Sequence, residues 1–194
     1  MAETIIDGTG KGFEAKVDSN GRMHVLSVSE GFNVESAIVG KNYNLNTGAI
    51  SLTSANESAV AYIKNNEDEN FIIKKILVIL GESTGGTGDL VVELIRNPTT
   101  GTIIDNATNF SIEGNRNFGS VREFESLTYK GLEGYTLTNG TLFADTTRSS
   151  AGTVVAFDSD VIILPKGASI GVNITPQTSN TSMNVKVAII GFLF

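Results

Sequence analysis

The chain has 194 residues, no cysteine, one histidine and a net charge of −7 from 14 basic and 21 acidic side chains. Without cysteine there are no disulfides and no thiolate metal sites, and a single histidine cannot build a multi-histidine one. The acidic balance argues against a protein that tracks nucleic-acid phosphates or lies on an anionic membrane, so neither partner is expected.

Composition points to strands and turns. Glycine numbers 21 and proline 3, and Ser, Thr and Asn are abundant, a mixture that favours turns and short polar strands over helix interiors. Hydrophobic residues make up 40% of the chain, enough for a packed core. No apolar run reaches the roughly 18–20 residues of a membrane span, and Met1–Gly12 carries no apolar signal-peptide segment.

Residues 1–12, with Gly8, Gly10 and Gly12, read as an extended arm. A hairpin follows: Phe13, Ala15 and Val17 alternate with polar residues, Asp18-Ser19-Asn20-Gly21 makes the turn, and Met23 and Val25 return. Residues 29–48 read as a linker with one short strand around Ala37–Val39, and the main domain starts near Asn42. Ile50 and Leu52 mark a strand. Ala59–Lys64 and Phe71–Leu80 flank a polar loop, and the β-branched content of FIIKKILVIL favours strand over buried helix.

Gly81–Gly88 reads as a loop and Leu90–Arg96 as a strand, with a further strand beginning at Thr102–Ile104. Residues 105–120 form a long polar segment, of a size that is usually functional or interfacial. Val121–Tyr129, Thr153–Phe157, Val161–Leu164, Ser169–Ile174 and Asn184–Phe194 complete the strands, with turns at Asn139-Gly140 and Pro165-Lys166-Gly167. About nine or ten strands at ~8–12-residue spacing suit an all-β fold, a jelly-roll-like antiparallel β-sandwich over 41–194 behind an N-terminal arm and hairpin over 1–40. The apolar end of the chain is either a central strand or a segment inserted at a subunit interface.

Chemistry-bearing motifs are sparse. Gly8-Thr9-Gly10-Lys11-Gly12 lacks the ending and the flanking strand and helix of a phosphate loop, and Thr84–Gly88 lacks a lysine. His24 alternates with Met23 and Val25 and has no nucleophile-elbow serine to serve. Glu67-Asp68-Glu69 is a carboxylate cluster at a loop tip without EF-hand spacing, and Asp158 and Asp160 flank Ser159 in the same way. Arg116, Arg122 and Arg148 read as salt-bridge or interface residues. Asn106 and Asn173 open Asn-x-Thr triplets that carry no information without a secretion signal. Absence of Trp and 7% aromatics weaken a carbohydrate-cleft reading. No catalytic, cofactor-binding or metal residue is assigned.

Two stretches carry a resemblance. One runs from Asp7-Gly8-Thr9-Gly10 through Asn20-Gly21-Arg22-Met23-His24-Val25 to Ser27-Val28-Ser29-Glu30. The other is Tyr62-Ile63-Lys64-Asn65-Asn66-Glu67-Asp68 with the apolar strand and Ser-Thr-Gly-Gly-Thr-Gly-Asp loop that follow. With Arg96-Asn97-Pro98, Asn115–Ser120, Tyr129-Lys130-Gly131 and Leu164–Gly167, the chain resembles virion structural proteins of tailed bacteriophages. The resemblance implies a non-enzymatic particle component without cofactor. A capsid decoration (cement) protein, a head fibre and a neck or tail accessory all fit it, as does a homotrimer bound to the major capsid protein or other virion proteins. A carbohydrate-binding module is the reading from another class.

Overall fold

The structure is a computed structural model and describes residues 16–17, 23–24, 32–53, 56–84, 90–148, 154–176 and 182–194. The chain falls into two units, Met1–Gly31 and Phe32–Phe194. In the first, β1 (Lys16–Val17) pairs antiparallel with β2 (Met23–His24), Lys16 opposite His24. Both strands fall within the expected hairpin. Its turn and the glycine-rich arm lie outside the described residues.

The second unit opens with helix α1 (Phe32–Ile38), where the sequence suggests a linker and a strand at Ala37–Val39. The helix is closed by Gly40, whose φ of 71° lets its N–H reach Ala37 O while the Lys41 N–H reaches Ser36 O. That pair of bonds is a Schellman motif, which a β-branched residue at position 40 would not allow. Ser36 is buried, and the helix rests on the strands described next.

These are β3 (Asn42–Asn46), β4 (Ile50–Leu52), β5 (Ser58–Lys64), β6 (Phe71–Thr84), β7 (Leu90–Arg96), helix α2 (Thr102–Asp105), β8 (Ile112–Asn115), β9 (Leu127–Lys130), β10 (Thr141–Arg148), β11 (Val154–Leu164), β12 (Ser169–Pro176) and β13 (Ser182–Leu193). Five form one sheet in the order β10-β7-β12-β5-β9. The other runs β11-β6-β13-β3-β8, with β4 also on β13. All the described pairings are antiparallel. From β4 to β9, and again from β10 to β13, each strand lies in the sheet opposite its predecessor, and β13 returns beside β3. That alternation is jelly-roll topology, with β8 and β9 each widening one sheet by a strand.

The period-2 pattern explains the layers. Leu90, Val92 and Leu94, with Ile170, Val172 and Ile174, point in from one sheet; Ile73, Ile76 and Val78, with Val185, Val187 and Ile189, point in from the other. β13 is the central strand of its sheet, and Phe192 and Leu193 are buried within their own chain, while Phe194 stays exposed. Between Ile190 and Gly191 its register shifts. Gly191 is needed there, because a Cβ would sit 2.6 Å from Ile72 O and 2.6 Å from the Phe71 ring.

Four further expectations are corrected. Thr102–Ile104 is helical, because Gly101 at φ 137° turns the chain and Ile103 drops into a small cluster with Ala59, Tyr62 and Leu137 on the outside of the five-stranded sheet. The segments around 153–157 and 161–164 are one strand, bent by a register shift between Asp158 and Ile162. β6 continues to Thr84 instead of ending at Leu80. In the 121–129 stretch only the last three residues join a strand, β9.

Candidate functional site

The loop after β5 holds the carboxylate cluster, and each acid has an internal partner. Asn65 is fully buried and anchors the loop. Its Nδ2 donates to Leu164 O at 2.7 Å and Glu69 O at 2.8 Å; its Oδ1 accepts from the Glu67 N–H and from Ser126 Oγ, both at 3.0 Å. Glu67 is itself buried and accepts the Glu125 N–H at 2.7 Å. Glu69 takes Lys41 on one oxygen and Arg122 at 3.0 Å on the other, while Asp68 pairs with Lys166. The hydrogen bond from Lys41, with the charges of Lys41 and Arg122, holds the Glu69 carboxyl below its ordinary range against an opposing effect of burial. The hydrogen bond from Lys166 does the same for Asp68. The cluster is a clamp that ties the β5–β6 loop to the segment before β9, to Lys41 just ahead of β3 and to Lys166 between β11 and β12.

The segment after β8 is built differently. Asn115 Oδ1 accepts the Asn117 N–H at 2.9 Å, Asn117 Oδ1 accepts the Gly119 N–H at 3.0 Å, and the Ser120 N–H closes on Asn117 O at 2.9 Å. Asn117 Nδ2 ties the turn to α1 through Ile38 O at 2.9 Å, and Asn115 Nδ2 reaches Gly40 O at 2.7 Å. This bonded turn presents Phe118 at 100% exposure, and Val121 stands beside it at 97%. Val34, Ile38 and Val39 of the neighbouring helix end are also more than half exposed. Large apolar side chains held out on a rigid turn mark an interaction surface more often than a catalytic one.

A second apolar feature lies between β10 and β11. It is a groove of about 270 Å³ lined by Phe143, Ile162, Ile163, Leu164, Ile170 and Arg96, among others. Phe143 and Ile163, which line it, are each more than half exposed. A register shift between Leu142 and Ala144 turns Phe143 out of the ladder and over the groove.

On the outer side of the five-stranded sheet, Asp145 of β10 and Asn173 of β12 each sit opposite Glu93 of β7, and Glu57 accepts from Asn173 Nδ2. Burial, then the charges of Glu57 and Asp145, push the Glu93 carboxyl above its ordinary range. Burial raises Glu113, which Thr128 Oγ1 contacts. Asn173 is 2% exposed, so its Asn-x-Thr triplet is inaccessible to modification in the folded chain.

The remaining residues singled out in the sequence do not converge. Arg122 belongs to the clamp. Arg116 donates its N–H to Asn42 O and lines a shallow surface with Lys74 and Phe192. The His24, Asp158, Asp160 and Arg148 side chains, the 8–12 segment and the 85–88 loop lie outside the described residues. Among the described residues, no three acidic or histidine side chains gather as a metal site requires, and no helix is long and apolar enough to cross a membrane. Sequence reasoning missed Phe118 as a surface anchor. The signal was a bulky aromatic inside the polar run Asn115–Ser120.

No family model and no curated protein matches the chain. Among solved structures it is similar to infectious bursal virus derived T=1 particles, at 11% identity and a TM-score of 0.18 over 79% of this chain and 40% of that one. It is also similar to a mutant VP2 protein of infectious bursal disease virus in derived T=1 particles, at 9% identity and a TM-score of 0.17 over 79% and 40%. A VP2 subviral particle of the same virus aligns at 11% identity and 0.13 over 80% and 40%. The chain spans about two fifths of the length of each of these proteins.

Proposed function

We propose that the chain is a non-enzymatic structural subunit of a bacteriophage particle: a capsid decoration protein that joins the head lattice through its N-terminal segment, residues 1–40, and presents the jelly-roll unit outward. One observation carries the reading. The acids of the loop tip are engaged in internal pairs, while the most exposed of the described large apolar side chains are Phe118, held on a bonded turn, and Val121 just after it. That division suits a surface that binds surfaces. The resemblance to tailed-phage virion proteins supports the setting. A subunit repeated on a symmetric lattice gains avidity from many weak contacts without any one being strong.

Quantitative mass spectrometry of purified virions tests the assignment. A copy number on the scale of the major capsid protein supports decoration. A handful of copies per particle would instead support a neck, collar or tail accessory, and absence from the virion would overturn both.

A further inference from the structure

The exposed turn follows one edge strand of the six-stranded sheet, and the apolar groove is lined by the edge strand on the other side. β8 and β11 are the two outer strands of the order β11-β6-β13-β3-β8. The pairings form one continuous row: Asn115 opposite Tyr43, Tyr43 opposite Gly191, Gly191 opposite Ile73, and Ile73 opposite Ile162. Phe118 follows three residues after the start of that row, and Ile162 lines the groove at its end. Four strand spacings separate the edges, about 19 Å.

The two features also match in size and chemistry. A cavity of about 150 Å³ is enough to hold a benzene ring, and the groove offers about 270 Å³ between apolar side chains. Both flanks are apolar, Val121 on the projecting side and Phe143 with Ile163 on the receiving side.

From these relations we propose that copies of this chain associate side to side, with Phe118 of one copy seated in the β10–β11 groove of the next. The contact uses two different patches, so it is heterologous and either closes into a ring or runs on as a filament. The inference deepens the structural-subunit reading and rests on it, naming a second copy of the chain as the partner of this surface.

The absence of cysteine gives a clean test. Full-length F118C and I163C are purified separately and oxidised mildly at high protein concentration, alone and mixed. The proposal expects a disulfide-linked dimer several-fold more abundant in the mixture than in either variant alone, with the joining peptides identified by mass spectrometry. Sedimentation velocity of the wild type is expected to show a concentration-dependent oligomer that Phe118→Ser dissociates while leaving the circular dichroism spectrum unchanged. No mixed disulfide, F118C pairing with itself as readily, or an oligomer indifferent to Phe118→Ser would each overturn the interface. None of these results would alter the virion copy number, so a failure here is distinguishable from a failure of the particle assignment.

Discussion

Ser126 and Asn65 stand 61 residues apart in the chain and share a 3.0 Å hydrogen bond, Ser126 Oγ donating to Asn65 Oδ1. The same hydroxyl accepts the Asn66 N–H at 3.1 Å. One serine thus fixes the loop after β5 against the approach to β9, and Asn65 carries the tie onward to Leu164 at the end of β11. A buried polar hub thus helps hold the loop end of the sandwich.

Asn65→Ala removes four side-chain hydrogen bonds at a fully buried position and leaves several groups without partners, each loss being worth about 1–3 kcal/mol. Equilibrium urea unfolding is expected to show a loss of at least about 3 kcal/mol, against a smaller one for Ser126→Ala. A loss no larger than that of an exposed substitution such as Asn139→Ala would contradict the hub.

Stability is expected to depend on pH through two carboxylates of opposite sign. Lys41, with Arg122, favours ionised Glu69 in the fold, so its contribution is whole above the ordinary value of 4.5 and is lost as pH falls through the lowered folded value. Burial, Glu57 and Asp145 disfavour ionised Glu93, so its penalty is absent at low pH and sets in as pH rises from 4.5 through the raised folded value. Glu69→Gln should therefore flatten the acid limb of a stability–pH profile, and Glu93→Gln should raise stability at pH 7 but not at pH 3. Thermal melts across pH check both; a Glu93→Gln chain less stable than wild type at pH 7 would reverse the assignment.

Gly131→Ala should destabilise by about 1–3 kcal/mol or more, because a Cβ there would lie 1.8 Å from the backbone oxygen of Ala59. Gly134→Ala has open space around its Cβ position, although its φ of 75° strains any side chain. The larger loss is expected at 131, measured by chemical denaturation; equal losses would mean the close approach to β5 is not maintained.

Phe71 is fully buried, and its ring lies 4.9 Å from that of Phe124, which in turn lies 4.8 Å from Tyr43. Phe71→Ala is expected to cost about 3–5 kcal/mol and to loosen the approach to β9 as well as the core. Hydrogen exchange should show reduced protection near Phe124; unchanged protection there would show that the three rings do not act together.

Much of this fold was legible because its strands alternate. Leu90–Arg96 and Ser169–Ile174 have the period-2 pattern, and the structure buries one face of each in the core. Elements were missed where tertiary contacts decide. Asn42–Asn46 has three asparagines in five residues and reads as linker, yet Tyr43 and Leu45 lock it beside β13. Phe32–Ile38 lacks a long apolar stripe, and its helix is defined by the Gly40 cap and its packing on β13 and β3. The candidate surface was half legible. The long polar segment 105–120 reads as functional or interfacial, but the exposure of Phe118 comes from the Asn115 and Asn117 side chains bonding the turn, which local sequence does not report. The groove was hidden altogether, since it depends on β10 and β11 meeting at one side of the sandwich.

Removing residues 1–31 should leave Phe32–Phe194 with a single cooperative unfolding transition and no affinity for particles lacking the protein. Co-sedimentation with such particles checks this, and binding by the shortened chain would refute the anchoring role of the N-terminal segment.

The most direct measurement is a symmetric density map of intact particles. The account expects the jelly-roll unit at many equivalent positions on the head lattice, residues 1–31 against the shell and Phe118 at a contact between copies. Density for the chain confined to the portal–tail junction, or lacking from the particle altogether, would contradict it.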